Sequence, residues 1–228
     1  MRILYRKYNQ DVQIVPLSDS ALLLRFGEAI DPAINRQVHL LATALALDPL
    51  PGIIETVPGY ASLAVHYDPL ALTHAQVCEW LQSRLGLTAE TASRPNKTVE
   101  VPVMYDGPDL EFVAAHCLLT IDEVIRLHTS IPYTVYMMGF TPGFPYLGIL
   151  PEGLRVPRLE TPRPKVPAGS VALAGVQTGI YPVDSPGGWR LVGRTPLSLF
   201  DPQREPPFLF APGDEVRFVA LETFRRLL

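Results

Sequence analysis

Cysteine is nearly missing: Cys78 and Cys117 are the only two in 228 residues. A secreted chain of this size more often carries a set of disulfides, so the composition points away from an oxidising compartment. Each cysteine sits in an apolar, helix-like pattern, which fits a small buried side chain better than a reactive thiol. All five histidines precede residue 130, and there is no His-Glu-x-x-His pair and no close His/Cys cluster. A metal site built by this chain alone is therefore not expected. A Gly-x-Ser-x-Gly elbow and a Gly-x4-Gly-Lys-Ser/Thr phosphate loop are also missing, which removes two common signatures of self-sufficient catalysis. Positive charge is in short supply, with a formal net charge of -4 and a pI near 5.7. That balance argues against nucleic acid or an anionic membrane as partner. The uncharged stretch from Val166 to Val183 is broken by Pro167, Pro182 and three glycines, so it does not read as a membrane helix. No long apolar run follows the early charges of the N-terminus, as a signal peptide would require. The cytoplasm is the expected location.

What the chain does have is apolar bulk and an uneven supply of turn residues. Hydrophobic residues make up 47% and charged residues 18%, a balance that favours folding over disorder. Residues 1–130 hold 9 of the 24 prolines and 5 of the 16 glycines, so the chain changes from ordinary α+β to turn-rich β partway along. Ser20–Phe26 reads as a strand. Asp31-Pro32 reads as the start of a helix, with Ile34, Val38, Leu41 and Leu45 on one face. Ile53–Val57 and Ala61–Tyr67 flank Pro58-Gly59 as a hairpin, and Thr73 to Gln76 is a capping box for a helix that stops at Gly86. This β-α-β-β-α order predicts a small ferredoxin-like α+β domain over residues 1–95. A linker is expected within Thr91–Thr98. Val99–Met104 opens the second domain, 96–228, as a strand. Two helices follow, the first capped by Asp109 and the second by a Thr120–Glu123 capping box, and then the strand Tyr133–Met138. From there glycine and proline cut the chain every few residues, a rhythm that suits a closed or nearly closed β-barrel.

The chemistry-bearing stretch is 139–200. Its cations are Arg155, Arg158, Arg163, Lys165, Arg190 and Arg194, against Glu152, Glu160 and Asp184. A net negative chain therefore carries a locally positive segment. Its turns can present backbone amides and side chains around a depression. Arg158, Arg163 and Arg194 are candidates for holding a carboxylate or phosphate. Gln177, Tyr181 and Ser185 are candidate hydrogen-bonding partners, and Asp184 is a candidate proton acceptor. Phe140, Phe144, Tyr146 and Trp189 cluster near the same turns, as core or as the lining of a groove. The alternative is a solvated barrel rim whose cations brace turns. A lone hydrolase would normally show a nucleophile beside a base; here only Glu152, Glu160, Asp184, Ser185, Tyr181 and the arginines are at hand, which favours a subunit completed by another chain.

The segments Gly139–Gly148, Pro157-Arg158, Pro162-Arg163 through Gly169-Ser170, Ala174–Pro182, Ser185–Trp189 and Gly193–Pro196 with Phe200-Asp201 resemble, in order, the family known as the 5-oxoprolinase B subunit (PxpB), kinase inhibitor KipI, or allophanate hydrolase subunit 1. The resemblance runs from about Val12 onward and leaves residues 1–11 as a loose extension. It implies a small α+β N-terminal domain and a cyclophilin-like β-barrel C-terminal domain. It implies two partners, a second β-barrel subunit (PxpC/KipA-like) and a metal-dependent hydrolase-like subunit (PxpA-like). The joint reaction it implies is the opening of 5-oxoproline to L-glutamate, driven by ATP with Mg²⁺ held by this chain or by a partner. The alternative in the same family is inhibition of a sensor histidine kinase. Members often show Pro-Ala-Tyr-Arg-Ser where this chain has Pro58-Gly-Tyr-Ala-Ser62, so an arginine is missing from the hairpin.

Overall fold

A computed structural model describes residues 3–5, 12–85 and 96–221. The proposed stop at Gly86 and most of the expected linker, 91–95, lie outside the described residues. The chain is mixed α+β, mostly strand, and divides into two compact units, Met1–Pro95 and Asn96–Leu228.

In the first unit the strands β1 (Ile3–Tyr5), β2 (Val12–Ser18), β3 (Ala21–Arg25), β4 (Ile53–Pro58) and β5 (Ser62–Tyr67) form one antiparallel sheet in the order β1-β2-β3-β5-β4. Strand β5 lies between β3 and β4, so helix α1 (Pro32–Leu47) makes a split β-α-β connection. Asp31 accepts from the amides of Ala33 and Ile34, and Pro32 takes the first turn, where its missing N–H is no loss. Thr73 and Gln76 cap helix α2 (His74–Arg84) reciprocally. Val38, Leu41, Leu45, Val77 and Leu81 pack against Leu22, Leu24, Leu63 and Val65. Residues 3–5, expected to be loose, instead pair with the edge of β2, as a β-prone Ile-Leu-Tyr run can.

In the second unit β6 (Thr98–Val103) pairs in parallel with β14 (Glu215–Ala220), the last strand among the described residues. Between them run α3 (Leu110–Cys117), α4 (Ile121–Thr129), β7 (Tyr133–Met138), β8 (Pro145–Gly148), β9 (Arg163–Val166), β10 (Ser170–Ala174), β11 (Gln177–Ile180), β12 (Ser185–Gly187) and β13 (Arg190–Arg194). Seven strands form one sheet in the order β13-β10-β11-β8-β7-β14-β6, and β9 and β12 form a separate pair. The two outer strands of the sheet meet. Met104, just past β6, exchanges both backbone hydrogen bonds with Arg194 at 2.9 Å, and the amides of Gly107 and Asp109 continue the seam along β13. The result is a nearly closed, barrel-like sheet. Backbones approach so closely there that a Cβ on Gly107 or on Gly193 would lie 2.4 Å from the opposite chain. The interior is filled by Val101, Val135, Leu147, Val171, Leu173 and Ile180 from the strands and by Val113 and Val124 from the helices.

One polar chain crosses that interior. His128, fully buried, meets the Tyr105 hydroxyl at 2.7 Å through Nδ1 and Thr178 Oγ1 at 2.9 Å through Nε2. Thr178 donates onward to the carbonyl of Ala172. Thr178 must therefore accept from His128, which places the imidazole proton on Nε2 and leaves Nδ1 to accept from Tyr105. Burial drives the His128 pKa down to about 3. Between that value and the ordinary 6.5, the unfolded chain binds a proton that the folded chain refuses. The stability held by neutral His128 is thus complete above about pH 6.5 and is lost as pH falls toward 3, at up to about 1.4 kcal/mol per pH unit. Urea melts of wild type and of His128→Gln between pH 4 and 7.5 should show a lower stability but a shallower acid slope in the variant. Parallel slopes would remove His128 as the source.

Candidate functional site

The outer face of β13, β10, β11 and β8 is paved with small residues, and an aromatic group lies on it. Ala172, Ala174 and Leu191 pack with Phe144, Tyr181, Trp189 and Val166, and Tyr146 joins from the margin. Gly179 leaves room for the Phe144 ring, since a Cβ there would lie 2.9 Å from it. Gly187 does the same for the Tyr181 ring, which a Cβ would meet at 2.7 Å. Phe144 is the hub. Its ring meets Tyr146 at 4.8 Å, Tyr181 at 5.2 Å, Trp189 at 5.5 Å and Phe140 at 5.7 Å, each edge-to-face. Phe140 is 60% exposed and holds a left-handed backbone at φ +65°, a strained choice for a phenylalanine. Tyr146 is half-buried, while Phe144, Tyr181 and Trp189 are buried.

Arg158 stands on this group, exposed, with its guanidinium 5.8 Å from the Trp189 ring centre. Burial raises the phenol pKa values of Tyr146 and Tyr181, and the Arg158 charge opposes that rise at both. Ser185 lies on the buried side of β12, two residues from Gly187, and its Oγ has no hydrogen-bond partner.

The other sequence candidates are engaged elsewhere. Arg163 donates to Asp109 Oδ1 at 2.9 Å and reaches the carbonyl of Trp189. Arg194 pairs with Asp106 at 2.8 Å beside the seam. Asp184 pairs with Lys165 at 2.8 Å and accepts from the amide of Ala168. Those two contacts lower its pKa, and a carboxylate held in its charged form is a weak base. Gln177 opens β11 opposite Gly148. Cys78 and Cys117 both have thiol pKa values raised by burial, the setting of inert cysteines.

Asp109 is the residue whose role the sequence reading missed. It stands at the N-cap position just before α3, as the sequence indicates, yet its side chain makes no capping hydrogen bond. The buried carboxylate instead accepts from the amide of Leu191 at 2.7 Å and from Arg163, with Arg190 at 3.8 Å. Arg190 in turn lies 3.7 Å over the Phe112 ring. The signal for this was a surplus of arginines over local acids between residues 139 and 200, which leaves room for an anion from elsewhere in the chain. No group of three or more His, Cys, Asp or Glu able to hold a metal ion occurs among the described residues. No helix among them is long and apolar enough to cross a membrane.

Residues 12–210 match the family described as carboxyltransferase domain, subdomain C and D. The chain is 45% identical to the 5-oxoprolinase B subunit of Bacillus subtilis, over 92% of each chain. It is 44% identical to the protein of the same name from Escherichia coli O157:H7, over 89% of this chain and 93% of that one. This chain belongs to the 5-oxoprolinase B-subunit family. The crystal structure of TTHA0988 superposes with a TM-score of 0.80 at 47% identity, covering 89% of this chain and 40% of that one. The chain thus spans well under half the length of that protein. Kluyveromyces lactis urea carboxylase shares the fold, with a TM-score of 0.77 at 18% identity, over 96% of this chain and 23% of that one.

The geometry separates a bracing arginine from an unpaired one. Arg163→Ala takes the nearer cation from the Asp109 carboxylate, which is only 8% exposed, and should lower stability by about 3 kcal/mol. Arg158→Ala should stay within about 0.5 kcal/mol of wild type. Urea melts of the two variants check this, and equal losses would contradict it.

Proposed function

We propose that this chain is a subunit of an ATP-dependent 5-oxoprolinase, one that opens 5-oxoproline to L-glutamate only when assembled with partner subunits. The observation that carries the reading is the near-full-length identity of 40–45% to three bacterial proteins named as the B subunit of 5-oxoprolinase. The site supports a dependent role. It offers an aromatic shelf and an arginine, whereas its one candidate base, Asp184, is tied to Lys165. A nucleophile beside a base, the usual mark of a self-contained hydrolase, is not assembled there. The partners in this reading are a second β-barrel subunit and a metal-dependent hydrolase-like subunit. Chains such as TTHA0988, in which this fold occupies 40% of the length, are compatible with such a partner being covalently joined.

ATP with Mg²⁺ fits this chain's own residues poorly. A triphosphate calls for several free cations, and its Mg²⁺ for one or two free carboxylates beside the phosphates. Among the described residues Arg163, Lys165, Arg190 and Arg194 already face carboxylates, and Asp106, Asp109 and Asp184 are engaged by them. The nucleotide is therefore assigned to a partner subunit. The kinase-inhibitor alternative would use the exposed Phe140 edge, but the relatives named above favour the enzyme.

The purified chain alone should leave 5-oxoproline unchanged. Addition of both partner subunits with ATP and Mg²⁺ should produce L-glutamate and ADP, measured by coupled assay. A reconstituted trio without turnover would refute the assignment.

A further inference from the structure

Six cations lie between residues 139 and 200, and the fold sets four of them against three carboxylates. Arg163 and Arg190 share Asp109, Lys165 holds Asp184, and Arg194 holds Asp106. Arg155 and Arg158 are left without a carboxylate among the described residues. Of these two, only Arg158 lies on the aromatic group, over Trp189 and close enough to Tyr146 and Tyr181 to influence both phenols. A guanidinium on an aromatic face is oriented and partly stripped of water, yet it keeps its outward N–H groups free to donate. Beside it lies the half-buried Tyr146 ring, set edge-to-face against Phe144, which the exposed Phe140 meets in turn.

We propose that Arg158 on its Trp189–Tyr146 shelf binds the carboxylate of a compact, monoanionic ring, and that this is how the chain holds the pyrrolidone carboxylate substrate. The proposal rests on the reading of the chain as a 5-oxoprolinase subunit. One uncompensated positive charge matches one carboxylate through a two-pronged hydrogen-bonded pair. It does not match a nucleotide, whose several negative charges would find the neighbouring cations already taken. The flat face of a five-membered lactam lies well against an aromatic ring, and the shelf leaves its amide edge turned outward, toward whatever a partner brings. Arg158 is in this account a binding residue and takes no part in bond making.

The test uses the assembled three-subunit complex. Arg158→Gln should raise the KM for 5-oxoproline at least tenfold, with kcat within about threefold of wild type and the KM for ATP unchanged; Arg158→Lys should recover part of the loss. 5-Oxoprolinamide, which lacks the negative charge, should compete equally weakly against wild type and Arg158→Gln. An unchanged KM for 5-oxoproline in an active Arg158→Gln complex would overturn the anchor while leaving the functional reading intact. A KM for ATP that rises in step would show that the arginine serves the nucleotide and would overturn it as well. If the wild-type complex does not turn over 5-oxoproline, the functional reading fails by itself. The anchor is then judged on the purified chain by NMR titration with 5-oxoproline. A shift of the Trp189 indole proton that is absent from Arg158→Gln sustains it, and no shift in wild type overturns it.

Discussion

The Asp109 carboxylate is the interaction on which the second unit depends. It accepts from the amide of Leu191 across the seam and faces Arg163 and Arg190 from the other side. One buried group thereby fixes the start of β13, the strand that closes the sheet. It also fixes β9, the strand that carries Arg163. Arg163 reaches the carbonyl of Trp189, so the placement of the indole under Arg158 is inherited from the same charge. A buried carboxylate is tolerable only with such a full set of partners, and the set is drawn from two stretches of chain, both far from Asp109 in sequence.

That dispersal decides what could be read in advance. The caps of α1, α2 and α4 involve residues two or three apart, and they stand where the residues predict. Strand β7 runs from Tyr133 to Met138, the bounds that the sequence indicates. Asp109 shows the opposite case. Its position before a helix has the form of a cap, but the carboxylate is committed to an amide 82 residues away, and no local pattern carries that. The pairing of β14 with β6 joins the two ends of the unit, which is equally invisible to a window of a dozen residues. The turn-rich stretch did reveal a nearly closed sheet through its rhythm of glycine and proline, though not which strands are neighbours.

The candidate site shows the same division. Its aromatic members were legible as a concentration of rings, and they do assemble around Phe144. The arginines were legible only as a sum of charge. A sum cannot distinguish a cation that braces the fold from one left over, because that depends on acids at positions 106, 109 and 184 reaching into the same region. Three-dimensional pairing turns a locally positive segment into a mostly neutral surface with Arg158 unpaired on the rings.

The rings rest on Ala172, Ala174 and Gly179, residues with almost no side chain of their own. The height of the shelf is therefore governed from below. A methyl group added at one of these positions would lift or tilt a ring by an ångström or so and reshape the surface without altering any residue that a ligand could touch. Divergence at such positions can then change the shape of this surface through its smallest residues while every polar contact stays in place. The sequence positions most worth watching for a change of specificity are the ones that look chemically blank.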